Sequence, residues 1–286
     1  MPELPEVEVL VRHLGPLLHG KRIRAVAVLR PKLVRPATPD EFARAITGRR
    51  FASLGRRGKY LVFTLHARRG GPALAMLGHL GMTGRMQVQP ARASLPRHAG
   101  VVFDLGRLRL VYSDTRYFGR CTLDTRPLAE LGPEPLGPEF TIADFARRLA
   151  RSHQAIKVRL LDQSLVAGVG NIYASEALFR ARVSPRLAAC RLDARRVGSL
   201  WRSIRAVLAE AIAWGSAVPL NWDGAGRGDG VFYYGLAPGT RDYYEERLLV
   251  YDRAGQPCPR CRAPIQRIVQ AARSTFFCPR CQRGRQ

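Results

Sequence analysis

"CPRCRAPIQRIVQAARSTFFCPRC" (258–281) is the stretch on which the architecture turns. Two Cys-x-x-Cys pairs stand sixteen residues apart, so Cys258, Cys261, Cys278 and Cys281 can surround one zinc ion tetrahedrally, each pair coming from a tight turn. Four thiolates leave no open coordination position. The metal is therefore structural, and it staples a hairpin too short to fold alone. Two buried disulfides are the alternative, which a reducing compartment disfavours. Inside the hairpin, "QAARSTFF" presents Arg273 on a turn, suited to phosphate or base-edge contact; a solvated turn arginine is the plain alternative.

The remaining cysteines, Cys121 and Cys190, read as core or surface thiols. The charge balance is extreme: 47 Lys plus Arg against 22 Asp plus Glu in 286 residues, a net +25. A polyanionic partner is implied. No apolar run approaches the ~18 residues of a spanning helix, which favours nucleic acid over a membrane. The charged, proline-bearing start lacks the apolar core of a cleavable signal, so an intracellular location is expected.

At this length two or three compact units are expected. Val7, Leu10, Val11, Leu14, Leu17 and Leu18 recur at helical spacing behind "MPELPEVEVL". From about residue 22 to 125, short alternating runs such as "KYLVFTL", "MTGRMQV", "GVVFDL" and "RLRLVY" predict an antiparallel β-domain. "LGPEPLGPEF" (131–140) reads as a linker. Beyond it Thr141 caps a first helix, and helical patterns continue through "AIKVRLLD", "NIYASEALFRA" and "RRVGSLWRSIRAVLAEAIAW". Residues 216–245 are rich in Gly and aromatics without a period, as in a functional loop, a structural lid or a disordered segment. In "LVAGVGNIYASEALF" (165–179) the glycines make a turn, and Asn171 is placed as the helix cap of a possible phosphate site.

"MPELPEVE", "HLGMTG", "DTRYFG", "LGPEPL", "GVGNIYASE" and "RSTFFCPRC" follow one another along the chain. In this order they make it resemble the formamidopyrimidine-DNA glycosylases, which share a helix–two-turn–helix superfamily with the endonuclease VIII enzymes. The resemblance implies an α+β, multidomain protein. Its N-terminal antiparallel β-sandwich with an N-terminal helix (1–130) carries the catalytic end, followed by the linker (131–140). A helix–two-turn–helix DNA-binding domain with a lesion-capping loop (141–245) and a C-terminal zinc-finger β-hairpin (246–286) complete it.

The implied activity is base-excision repair: a DNA glycosylase and abasic-site lyase acting on oxidised purines. Removal of Met1 makes the Pro2 nitrogen a secondary-amine nucleophile that forms a Schiff base at the sugar C1′. Glu3 matches the proton-handling acid, Glu6 a supporting acid, Lys59 the lysine of β-elimination and Arg273 the arginine of δ-elimination and phosphate binding. His98, Arg116, Lys157 and Asn171 match DNA contacts. Met82, Arg116 and Phe118 match a wedge that fills the stack when the base is extruded. The implied partner is damaged double-stranded DNA, bound by a monomer in the bacterial cytoplasm at the nucleoid, with no membrane and one structural zinc per chain. Plainer readings are helix-dipole complementarity for Glu3 and Glu6, an edge-strand lysine for Lys59 and core packing for Met82 and Phe118.

The chain departs from the family pattern in the rewritten 216–245 loop, and in Gly100, which stands where a second histidine often occurs after His98. An endonuclease VIII-like enzyme for oxidised pyrimidines or hydantoins is the first alternative. A non-catalytic, zinc-dependent DNA-binding protein is the second, but it leaves the joint presence of Pro2, Glu3, Lys59 and Arg273 unexplained.

Overall fold

The computed structural model describes residues 2–67, 70–217 and 248–283. They build an α+β fold of two compact units. Residues up to Ala129 belong to the first, and Glu130–Trp214 with the C-terminal segment belong to the second.

The first unit opens with α1 (Leu4–Leu18). Pro5 sits in the first turn, where its missing N–H costs nothing, and the Glu6 carboxylate accepts the Glu3 N–H at 2.8 Å. Val7, Leu10, Val11, Leu14 and Leu18 are buried as the spacing predicts. Leu17 departs from that reading: it is 38% exposed, because it lies at the edge of the stripe in the last turn, where Leu14 and Leu18 already fill the contact. The helix runs through Pro16 and ends at Leu18.

Eight strands follow: β1 (Ala25–Val28), β2 (Arg50–Arg57), β3 (Tyr60–His66), β4 (Leu74–His79), β5 (Gly84–Pro90), β6 (Ala99–Asp104), β7 (Leu108–Asp114) and β8 (Arg120–Thr122). They form two antiparallel sheets, β1-β6-β7-β5 and β2-β3-β4-β8. Alternation works as expected on β3, where Leu61, Phe63 and Leu65 are buried. They share one core with Met86, Phe103 and Leu110 of the other sheet and with the apolar face of α1.

A second helix, α2 (Pro39–Ile46), interrupts what reads as continuous β-structure. Its signal is local: Thr38 and Glu41 form a capping box around Pro39, with Thr38 N–H to Glu41 Oε2 at 2.8 Å.

The second unit holds α3 (Ile142–Ala150), α4 (Ile156–Leu160), α5 (Asn171–Ala181) and α6 (Ala194–Ala217), then the hairpin β9 (Gln266–Gln270) and β10 (Arg273–Phe277). Thr141 caps α3, accepting the Asp144 N–H at 3.2 Å. The 131–140 segment is pinned to this unit: Gly132 N–H donates to Gln163 O at 2.9 Å and Arg205 Nη1 to Pro135 O at 2.7 Å. Phe179, Val250, Ile265 and Phe276 form a small core with Cys258 and Cys278. The 216–245 loop lies outside the described residues beyond Ala217.

Candidate active site and nucleic-acid contacts

Pro2 leads into α1 and is buried together with Glu3 and Glu6, which are 1% and 2% exposed. The two acids form the capping box of α1: the Glu3 side chain takes the Glu6 N–H and the Glu6 side chain takes the Glu3 N–H, so the helix-end role and burial coexist.

Lys59 lies just ahead of β3, in the two-residue turn that joins Arg57 to its partner Tyr60. Gly58 takes φ +56 while Lys59 does not enter positive φ, as in a type II′ turn, where glycine suits the first position. Arg56 holds this turn by donating from Nη1 to Gly58 O at 3.0 Å. His79, opposite Tyr60 in register, packs its ring 4.7 Å from the tyrosine ring. Burial pushes His79 down to about 4, and the charges of Lys59 and Arg120 push it the same way. Its Nδ1 accepts the Gly81 N–H at 3.1 Å, so the neutral ring carries its proton on Nε2. Sequence reading passes over His79, although it heads the "HLGMTG" motif.

The wedge candidates stand on two abutting loops. Met82 follows Gly81, and Arg116 and Phe118 precede Gly119; a Cβ at Gly81 would lie 2.7 Å from Gly119 N and 2.8 Å from Phe118 C. Only a missing side chain allows that approach. Asp114, 1% exposed, fixes both loops by accepting Thr83 Oγ1 at 2.5 Å, Arg116 N–H at 3.1 Å and Gly119 N–H at 2.9 Å. Met82 and Phe118 are left 41% and 52% exposed, so neither is a core residue. The Arg116 guanidinium lies over the Phe118 ring, 4.8 Å from its centroid.

His98 reaches the Tyr117 hydroxyl at 3.4 Å, and Arg30 Nε donates to the same oxygen at 3.1 Å. Tyr117 and Arg30 are further members of this face that sequence reading misses. Gly100 has a steric reason, since a Cβ there would meet the fully buried Leu33 Cδ1 at 2.1 Å. A histidine there would require Leu33 to move.

In the second unit, Asn171 departs from the expected role. Gly170 is the N-cap of α5 and Asn171 its first helical residue, so the side chain turns away from the helix end. It accepts Lys157 Nζ at 2.6 Å on Oδ1 and donates from Nδ2 to Ser274 O at 2.9 Å. Lys157 is only 1% exposed, and its Nζ donates to this neutral acceptor. Ser274 follows Arg273, which is exposed at the start of β10. Lys157, Asn171 and the Arg273 strand are thereby brought together. The hairpin tip, Ala271 and Ala272 at φ +46 and +58, has the backbone of a type I′ turn without its usual Asn or Gly.

Glu176 is another buried acid that sequence reading passes over. It accepts the N–H groups of Leu249, Val250 and Tyr251 at 2.8–2.9 Å and so fixes where the C-terminal segment meets α5. Burial raises its pKa, against the pull of these three donors.

The four cysteine sulfurs lie within 4.8 Å of one another, with Cys258–Cys281 at 3.8 Å and Cys261–Cys278 at 3.4 Å. Tetrahedral Zn–S bonds of about 2.3 Å separate sulfurs by about 3.8 Å, so the set fits one zinc. Arg260 N–H and Cys281 N–H each point at the first sulfur of their pair, at 3.4 Å. The Ala263 backbone N–H draws Cys261 down to about 7, while burial and the neighbouring thiols push Cys281 up to about 12. Without a cation the four cannot all be thiolates. Cys121 is buried against Met76, and burial pushes its thiol up; Cys190 is half-buried beside His153 at 3.5 Å.

Comparison with known proteins places these features in one family. Residues 1–121 match the formamidopyrimidine-DNA glycosylase N-terminal domain, 131–219 its H2TH domain and 255–284 the zinc finger found in FPG and IleRS. The formamidopyrimidine-DNA glycosylase of Chloroflexus aurantiacus is 46% identical over 99% of this chain and 98% of its own, and that of Novosphingobium aromaticivorans 42% over 99% and 100%. Crystal structures of the Lactococcus lactis enzyme superpose over 99% of this chain and 100% of theirs. One, a G226P mutant with Fapy-dG DNA, gives a TM-score of 0.86 at 31% identity. Another, with DNA containing an oxidised pyrimidine, gives 0.85 at 30%. Full-length similarity and the matching domains lead to one conclusion: the chain belongs to the formamidopyrimidine-DNA glycosylase family.

Proposed function

We propose that the protein is a bifunctional DNA glycosylase and abasic-site lyase of base-excision repair, with the Pro2 nitrogen as nucleophile. The observation that carries this reading is the burial of Glu3 and Glu6 beside Pro2 at the very start of the chain. The two acids form the capping box of α1, and the same bonds hold both of them beside Pro2.

The Pro2 lone pair attacks C1′ of the damaged nucleotide as the C1′–base bond breaks, and the base departs with the proton that the Pro2 nitrogen gives up on forming the N–C1′ bond. Opening of the sugar's C1′–O4′ bond then gives an iminium, with Glu3 supplying the proton to the ring oxygen. Glu6 holds the Glu3 backbone in place. Lys59 removes the C2′ proton, and the 3′-phosphate leaves in β-elimination. Arg273, always charged, stabilises the departing 5′-phosphate in the second elimination. Lys157, Asn171, His98 and Arg116 grip the strand, and Met82, Arg116 and Phe118 fill the space left by the flipped base.

The domain limits 1–130, 141–245 and 246–286 follow the same reading; the family matches at 1–121, 131–219 and 255–284 support a threefold division but include the 131–140 linker segment in the H2TH range. Damaged duplex DNA as partner, action as a monomer and a cytoplasmic, nucleoid-associated setting follow the same reading too. Among the described residues no helix is long and apolar enough to cross a membrane.

Oxidised purines, 8-oxoguanine and formamidopyrimidines, are the proposed substrates. A second reading, oxidised pyrimidines, is kept because the Lactococcus lactis enzyme is found with such a lesion. Two experiments decide. Borohydride with lesion-bearing duplex traps a covalent adduct, which disappears when Met1 is retained or a tag precedes Pro2; an adduct that survives a blocked N-terminus rules out Pro2. Excision of 8-oxoguanine opposite cytosine, set against thymine glycol and hydantoins, ranks the substrates, and a last place for 8-oxoguanine overturns the purine assignment.

A further inference from the structure

We propose that Glu8 and Arg56 are positioning residues that set the Lys59 turn against the helix carrying Pro2 and Glu3. This rests on the assignment of Pro2 and Lys59 made above. The two residues belong to different elements, and chemistry shared between them needs their separation fixed to a fraction of an ångström.

Arg56 spans that separation with one planar group. Its Nε donates to Glu8 Oε2 at 2.9 Å and its Nη1 to Gly58 O at 3.0 Å, so a single guanidinium holds helix α1 and the turn at once. The side chain is 10% exposed, and Glu8 is 21% exposed, which shields the pair from solvent screening. Glu8 lies in α1 five positions beyond Glu3, and Arg56 lies in β2 three positions before Lys59. The Arg12 guanidinium completes the carboxylate from the open side at 2.9 Å and is itself 55% exposed. Its contribution is accordingly small.

A lysine cannot replace the rigid fork, whose Nε and Nη1 point along fixed directions to two acceptors. Nor can an ion pair between the same positions do so if it lacks the donor to Gly58 O. That distinction separates positioning from simple stabilisation.

The test uses the full-length, zinc-loaded protein. Arg56→Gln and Glu8→Gln are compared with wild type for strand cleavage on a preformed abasic site, for borohydride trapping through Pro2 and for thermal melting. The double variant Glu8→Arg with Arg56→Glu re-forms the helix-to-strand ion pair without a donor to Gly58 O. We expect kcat for strand cleavage to fall about 10²-fold in Arg56→Gln, with KM within about threefold of wild type, as for a catalytic group misplaced by an ångström. Trapping persists, because Pro2 is untouched. The double variant recovers melting temperature but not cleavage. Should Arg56→Gln not fold, Arg56→Lys carries the same expectation. Recovery of cleavage in the double variant, or normal cleavage in a folded Arg56 variant, overturns the proposal. Lys59→Ala tells the two failures apart: if it cleaves normally, the Lys59 assignment fails and the proposal with it; if it is inactive while Arg56→Gln is not, the positioning role alone is wrong.

Discussion

Asn171 Oδ1 lies 2.6 Å from Lys157 Nζ, and through its other amide atom the same residue holds Ser274 O, next to Arg273. Asn171 Oδ1 is a neutral acceptor, so it adds no negative charge beside the lysine. Asn171→Asp is therefore the informative change: it keeps the shape but pairs the ammonium with a carboxylate. DNA affinity should fall as far as in Lys157→Ala, and the slope of log K against log salt should become shallower by about 0.9 for the lost phosphate contact. Asn171→Ala should instead cost about 1–3 kcal/mol of stability by removing its bonds to Lys157 and to Ser274 O. Salt titrations of duplex binding by Asn171→Asp matching wild type would remove Lys157 from the phosphate grip.

Met82 and Phe118 make a different prediction because they are exposed. Truncating either to alanine should move stability by no more than about 0.5 kcal/mol, as for surface positions. Excision from a fully paired duplex should drop at least about tenfold, since extruding the base costs a few kcal/mol that the wedge offsets. With the lesion opposite a bulge, where pairing is already lost, the deficit should shrink. Equal losses on paired and unpaired substrates would show that these side chains do something other than hold the stack open.

The zinc site predicts metal content and fold together. Metal analysis should give about one zinc per chain, lost in Cys278→Ser but kept in Cys190→Ser. Structural zinc supplies on the order of 10 kcal/mol of folding energy to small modules, and the hairpin's own core is limited to a few side chains around Phe179 and Phe276. Chelation should therefore unfold β9 and β10 and abolish DNA binding. The β-sandwich, with its separate core, should persist. Folded, DNA-binding protein free of metal would contradict the assignment.

Patterns of local origin were legible in the sequence. The cysteine spacing, the Thr141 cap and the alternation of β3 depend on neighbours a few residues apart, and each forms as read. What escaped depends on partners far along the chain. Asn171 reads as a cap because Asn caps helices, but Lys157 and Ser274 compete for its side chain and leave Gly170 to start α5. Leu17 counts in the stripe by spacing, yet it lies at the stripe's edge and is left 38% exposed. His79, Tyr117 and Glu176 were invisible as site residues, because what sets them apart is burial and long-range bonding. The α2 capping box is the exception: a local signal present in the sequence and overlooked within a β-rich region.

His79 gives a pH prediction with a definite sign. Its folded value of about 4 lies below the 6.5 of a free histidine, through burial and the charges of Lys59 and Arg120. Between those values the unfolded chain binds the extra proton and the folded protein does not, so stability rises with pH across that window. The contribution is complete above about pH 6.5 and lost as pH falls to about 4, a span of about 3 kcal/mol at 1.36 kcal/mol per unit. His79→Asn keeps an acceptor for the Gly81 N–H but cannot titrate. Urea unfolding of both proteins from pH 7 to 4 should show wild type losing about 3 kcal/mol more than the variant over this range. Parallel curves would mean that His79 takes up its proton at the same pH in the folded protein as in the unfolded chain.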